Sequence, residues 1–129
     1  VTDKEDTIYI FEGPIDACFV SNGVAVAGIT ENSDSLYTKL QHNQLKAFPL
    51  HKKIIVLDSQ WKDQAAKNKT SILLDLGHKV FIWPKKLGTK YKDFNDIAMG
   101  LKTNQIPTTF IDEHSHSGLK GKVLMSQIN

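Results

Sequence analysis

Thr7–Pro14 reads TIYIFEGP and Ile54–Asp58 reads IIVLD; these two stretches decide the fold. Thr7–Phe11 is a short β-branched and aromatic run, the composition of a buried strand. Gly13-Pro14 ends it, and proline suits the first turn of a helix in which Ile15, Cys18 and Phe19 share a face. Asn22-Gly23 stops that helix, and Val24–Ile29 (VAVAGI) forms a second strand. Ser33 or Asp34 then caps a helix with Leu36, Leu40 and Ala47 on one side. Ile54–Leu57 is the third strand, ended by Asp58. The helix behind it carries Trp61, Ala65, Ile72, Leu73 and Leu76 to a stop at Gly77. Lys79–Trp83 (KVFIW) is the fourth strand. A lysine-rich loop follows, then a helix with Phe94, Ile97, Ala98 and Leu101 in one stripe. From Pro107 onward the pattern predicts one or two short helices, the last weakened by Gly118 and Gly121.

Strand patterns separated by helices imply crossover connections and parallel pairing. The strands are continuous apolar runs, which fits burial on both faces. The expected fold is therefore α/β: a four-stranded, mostly parallel sheet with helices on both faces and a short helical C-terminal tail. Residues 1–103 form the expected body and 104–129 a helical extension. With 129 residues, 40% hydrophobic and 23% charged, the chain suits one globular domain and not a disordered or low-complexity segment. No apolar run reaches the roughly 20 residues of a membrane span. Cys18 is the single cysteine, which excludes an internal disulfide and a Cys-rich zinc site; it reads as a small core residue and suits a reducing cytoplasm. No signal peptide is visible, and the start at Val1 reads as a fragment of something longer. Net charge is +2, and all 16 basic residues are lysines. Lysine meets phosphate as a point charge, so any nucleic-acid contact should favour backbone over base edges.

In an open α/β sheet, sites form at the carboxyl ends of the strands. Glu12 follows the first strand, Asp58 the third, and Asp93 and Asp96 lie beyond the fourth. Parallel strands bring these ends to one edge, where several carboxylates repel unless a cation neutralises them. Oxygen ligands of this kind suit Mg²⁺. Each acid also has a simpler reading. Asp58 is placed to cap the helix behind it, and Asp93 and Asp96 fit an N-cap and a third-position acid. Glu12, between a buried strand and a glycine turn, has no such obvious capping role. Lys85, Lys86, Lys90 and Lys92 leave the same edge as the acids and are candidates to meet phosphates; as a charge run they equally fit a solvated loop. Trp61 is either a base-stacking platform or a core residue. His114-x-His116 has the spacing of a metal pair but fits a water-facing segment better.

The motifs resemble the toprim domain, the metal-binding module shared by bacterial-type primases, topoisomerases and certain nucleases. The resemblance rests on Glu12-Gly13 with Asp16 a turn later, on Asp58-Ser59-Gln60 where toprim has a D-x-D motif, and on the small apolar strand Val24–Gly28. EGPIDACFVSNGVAVAG (Glu12 to Gly28), IIVLDSQ, KVFIWP and KDFNDIA (Lys92 to Ala98) are similar, in order and spacing, to the T-even bacteriophage primases, as is the tail around Ser117-Gly118-Leu119. The resemblance implies a toprim (Rossmann-like) fold and a DNA primase: an enzyme that joins ribonucleoside triphosphates into RNA primers on a single-stranded DNA template, beside a replicative helicase, in the host cytoplasm. It implies Glu12 and Asp58 as catalytic acids, Glu12, Asp58, Gln60, Asp93 and Asp96 around Mg²⁺ (or Mn²⁺), and the four loop lysines on nucleotide or DNA phosphates. Gln60 stands where the family usually has a second acid; Asp63, one turn on, is a candidate to supply that charge. The family's zinc-binding domain and the basic region before toprim have no counterpart in the sequence.

Two other functions compete. A toprim nuclease or topoisomerase-like module would use the same acids to cut DNA, although Tyr9, Tyr37 and Tyr91 are poor nucleophile candidates. A non-enzymatic receiver-like signalling domain would use Asp58 as phosphoacceptor, but it lacks the neighbouring acidic pair and a lysine after a fifth strand.

Overall fold

The computed structural model describes residues 7–25 and 52–128. Residues 26–29 of the expected second strand, and the helix expected after Ser33-Asp34, lie outside the described residues. Among the described residues the elements are β1 (Thr7–Phe11), α1 (Pro14–Ala17), β2 (Gly23–Ala25), β3 (Lys52–Val56), α2 (Gln64–Asp75) and β4 (Lys79–Phe81). They continue with α3 (Lys85–Gly88), α4 (Phe94–Leu101), α5 (Thr108–Glu113), β5 (Ser115–His116) and α6 (Gly118–Ser126).

The sheet has five strands in the order β2-β1-β3-β4-β5. The first four are parallel, and the fifth, absent from the sequence expectation, pairs antiparallel to β4. At two residues β5 is too short to show an alternation, and its Ser-His composition carries no strand signal. The chain is thus α/β with a mostly parallel sheet, compatible with a Rossmann-like fold.

Alternation along each strand divides the core in two. Ile8 and Ile10 of β1, Ile55 of β3 and Val80 of β4, with Leu57 and Ile82 just beyond, pack with Leu73, Leu74, Met125 and Ile128 on the face covered by α2 and α6. Tyr9, Phe11, Ile54, Val56, Phe81 and Trp83 face the other way, against Phe94, Ile97, Ile106 and Ile111. On that second face Phe81, Trp83 and Phe94 meet edge to face, with ring centroids 5.6–5.7 Å apart.

The buried side of α2 differs from the expected one. Ala66, Lys69, Thr70, Leu73 and Leu74 are buried, whereas Ile72 and Leu76 are 39% and 58% exposed. Lys69 and Thr70 stay inside because each has a partner: Lys69 Nζ reaches Glu12 at 3.3 Å, and Thr70 Oγ1 donates to the Ala66 carbonyl. Trp61 precedes the helix. Ile15, Cys18 and Leu101 also lie at the surface, because α1 has only four residues and α4 ends at Leu101. Cys18 is therefore not a core residue.

The segment beyond residue 103 is built into the same core. Ile106 and Ile111 join the aromatic face, and β5 extends the sheet. α6 lies close enough to α2 that a Cβ at Gly121 would come within 2.7 Å of Leu74 Cδ2, which gives this glycine a packing role in the helix it was expected to weaken. Tyr9 Oη donates to Asp112 Oδ1 at 2.7 Å, tying β1 to α5, and burial and that bond push its pKa up to about 12. Tyr9→Phe should cost about 0.5–1.5 kcal/mol by urea unfolding, because exposed Asp112 is rehydrated. A change within error would show that this tie contributes nothing.

Candidate functional site

The parallel register sets the site. Phe11 pairs with Val56 at the ends of β1 and β3, so Glu12 and Asp58 leave the sheet together at its carboxyl edge. α1 begins at Pro14, which places Asp16 in a first turn lying over that edge. Asp93 ends the loop from α3 and starts α4. Carboxylate oxygens of Asp16, Asp58 and Asp93 lie within 4.8 Å of one another, and each residue is only partly exposed. These three acids, with Glu12, Gly13, Val56 and Leu57, line one cavity of about 270 Å³.

Several contacts hold the acids in place. The Asn95 N–H donates to Asp16 Oδ1 at 2.9 Å, linking α1 to α4. Lys69 Nζ lies 3.3–3.4 Å from both Glu12 oxygens. The Ser59 N–H donates to the Lys92 carbonyl at 2.7 Å, joining the loop behind Asp58 to the residue before Asp93. The pKa of two of these acids is raised. Burial, and then Asp93, Asp16, Glu12 and Asp63, push Asp58 up from 3.8 to about 6. Asp16 is also raised, first by burial, against the opposing pull of the Asn95 N–H.

The capping readings separate cleanly. Asp58 does not cap α2; Asp63 does, accepting from Ala65 N at 2.9 Å and Ala66 N at 3.3 Å. That commits Asp63 locally and leaves Asp58 facing the cavity. Asp93 does both jobs: its Oδ1 accepts from Asp96 N at 2.8 Å, and a carboxylate has lone pairs for further partners. Asp96 is exposed, accepts from Lys92 N at 3.1 Å and is not one of the three converging acids.

Gln60 is not brought to the acids. It is 2% exposed, its Nε2 donates to Thr70 Oγ1 and the Phe81 carbonyl at 3.0 Å, and its Oε1 accepts from Trp83 N at 3.1 Å. Every polar atom of the amide is used in bridging α2 and β4. Lys85, Lys86, Lys90 and Lys92 are exposed in and around α3, and none lines the acidic cavity. Asp16 is the residue whose place in the group sequence reasoning undervalued. Its signal was available: an acid in the first turn of a helix that starts two residues after a strand must sit over the strand's carboxyl end.

Gln60→Glu separates the two roles of that side chain. A carboxylate cannot donate to Phe81 O and Thr70 Oγ1 together, so the variant should lose about 2–4 kcal/mol of stability with no gain in Mg²⁺ affinity. Tighter Mg²⁺ binding at unchanged melting temperature would contradict the structural assignment. Asp58 makes the stability of the protein sensitive to pH. Its folded pKa, about 6, lies above the ordinary 3.8, so the stability it contributes is fully present below about pH 4 and is lost as pH rises through 6. Asp58→Asn, which cannot ionise, should therefore stabilise the protein in EDTA at pH 7.5 by about 1–2 kcal/mol and change little at pH 4. Equal melting temperatures of the two proteins at both pH values would contradict it.

No family model matches the chain. It is similar to the DNA primase of Enterobacteria phage T4, with 28% identity over 127 residues, covering 96% of this chain and 33% of that protein. The chain spans about a third of the length of that curated relative.

Proposed function

We propose that the chain is the toprim catalytic domain of a phage-type DNA primase, acting in phosphoryl transfer. The catalytic body is assigned to 1–103, and the described part of 104–129 shares its core and sheet. The observation that carries this reading is the convergence of Asp16, Asp58 and Asp93 at the carboxyl edge of a parallel sheet. The similarity to the DNA primase of phage T4 supports it.

The donor set fits a hard divalent cation: three carboxylates, with no thiolate and no imidazole. Asp16, Asp58 and Asp93 would hold Mg²⁺ or Mn²⁺. Such an ion, when bound, supplies charge neutralisation for a triphosphate and a lowered pKa for an attacking 3′-hydroxyl. The chain's own residues do the positioning. Asn95 orients Asp16, Asp63 relieves Asp58 of capping, and Gln60 locks the turn that carries Asp58. Glu12 stays at the cavity, held by Lys69, as an outer carboxylate. Lys85, Lys86, Lys90 and Lys92 meet the phosphates of ribonucleoside triphosphates or of a single-stranded DNA template. A replicative helicase is the expected partner, and the cytoplasm of the host cell the expected compartment. Among the described residues no helix is long and apolar enough to cross a membrane.

Mg²⁺ should tighten binding of ATP to this chain by about tenfold or more, read by ³¹P NMR titration, and Asp58→Asn or Asp16→Asn should abolish that gain. Equal ATP affinity with and without Mg²⁺ would contradict the proposal. Nicking of plasmid DNA in Mn²⁺ would favour the cleaving module over the primase.

A further inference from the structure

Trp61 and the His114-x-His116 pair are not used by the acidic cavity, yet they meet. Both line a second cavity of about 370 Å³, together with Trp83, Lys85 and Gln127. Ile82, Trp83 and Pro84 leave the end of β4, so this cavity lies at the same edge of the sheet as the acids, on the β5 side of β4. The antiparallel pairing of β5 sets the histidines there: Phe81 pairs with Ser115, and Ile82 N donates to the His114 carbonyl at 2.9 Å.

The walls have complementary chemistry. Trp61 is only partly buried, and its ring is fixed in orientation because Nε1 donates to the Trp83 carbonyl at 2.7 Å. Gly88 presses against it: a Cβ there would come within 2.4 Å of Trp61 Cδ1, so only glycine lets α3 lie against the indole. Lys85 Nζ sits 6.0 Å from the Trp61 ring centroid. Lys120 and Lys79 both place positive charge near His116. An indole fixed in orientation, a cation over its ring, and imidazole and amide groups lining the same cavity suit a flat heterocycle joined to an anion.

We propose that the cavity between β4, β5 and α6 binds one nucleotide unit, with the base against Trp61 and the phosphate at Lys85 and His114. Its ligand is of the same class as that of the proposed reaction, but the site does not depend on the acids or on a metal. The unit comes either from a free nucleoside phosphate or from a single strand of nucleic acid.

NMR of the whole chain in EDTA tests this, with ATP, an octamer of deoxythymidylate and inorganic phosphate as separate probes. ATP or the octamer should shift the Trp61 indole NH and the His114 and His116 ring protons. Lys85→Ala, at an exposed position that should not disturb folding, should weaken that response about threefold or more, and Trp61→Leu about fivefold or more. A response to the octamer alone assigns the unit to a strand; a response to both assigns it to the nucleotide itself. Silence of these signals, equal affinity in Lys85→Ala, or a full response to inorganic phosphate alone would overturn the inference. Subsequent addition of Mg²⁺ reads the other site separately. Shifts at Asp16, Asp58 and Asp93 with a silent Trp61 leave the proposed function standing and remove this site, and the reverse pattern does the opposite.

Discussion

Three carboxylates whose oxygens lie within 4.8 Å of one another repel, and much of the described structure keeps them there. Parallel pairing of β1 with β3 delivers Asp58 beside the turn of Asp16, and the aromatic face of the core anchors α4 behind Asp93. Each acid is tethered through a neighbour: Asp16 by the Asn95 amide, Asp93 by the Asp96 amide, and Asp58 by a turn sewn down through Ser59 and Gln60. Burial first, and then the neighbouring carboxylates, raise the pKa of Asp58 and Asp16. The divalent cation proposed above would relieve that repulsion.

The second layer of the site is neutral and buried. Gln60 ties α2 to β4, and Trp83 Nε1 donates to the Leu57 carbonyl at 3.0 Å, one residue before Asp58. Trp61 Nε1 in turn donates to Trp83 O, so a chain of hydrogen bonds runs from the acidic cavity toward the cavity at β5. The two cavities share one edge of the sheet, and Trp83 links them: its Nε1 donates to the Leu57 carbonyl and its own carbonyl accepts from the Trp61 indole.

The parallel sheet was legible because its strands are uninterrupted apolar runs, three of the four ending at an acid or a proline. Glu12, Asp58 and Asp93 were legible because position in an α/β sheet follows from strand ends. Gln60 was misplaced because a D-x-x spacing says nothing about which way the third side chain turns, and here Thr70, Phe81 and Trp83 hold it inward from the turn after β3. The α2 stripe was misread because Lys69 and Thr70 look like surface residues until Glu12 and Gln60 supply their partners. β5 was invisible because two residues contain no period, and Trp61 joined His114 only through that strand's antiparallel return.

The central claim is that Asp16, Asp58 and Asp93 act together as one cation site. Paramagnetic broadening by substoichiometric Mn²⁺ reads it most directly. The account predicts that amide signals of Asp16, Asp58 and Asp93 disappear first, that the Gln60 side-chain amide fades later, and that Asp96→Asn leaves the pattern unchanged. Broadening spread evenly over exposed acids such as Asp75 and Glu113, or centred on Asp96, would contradict it.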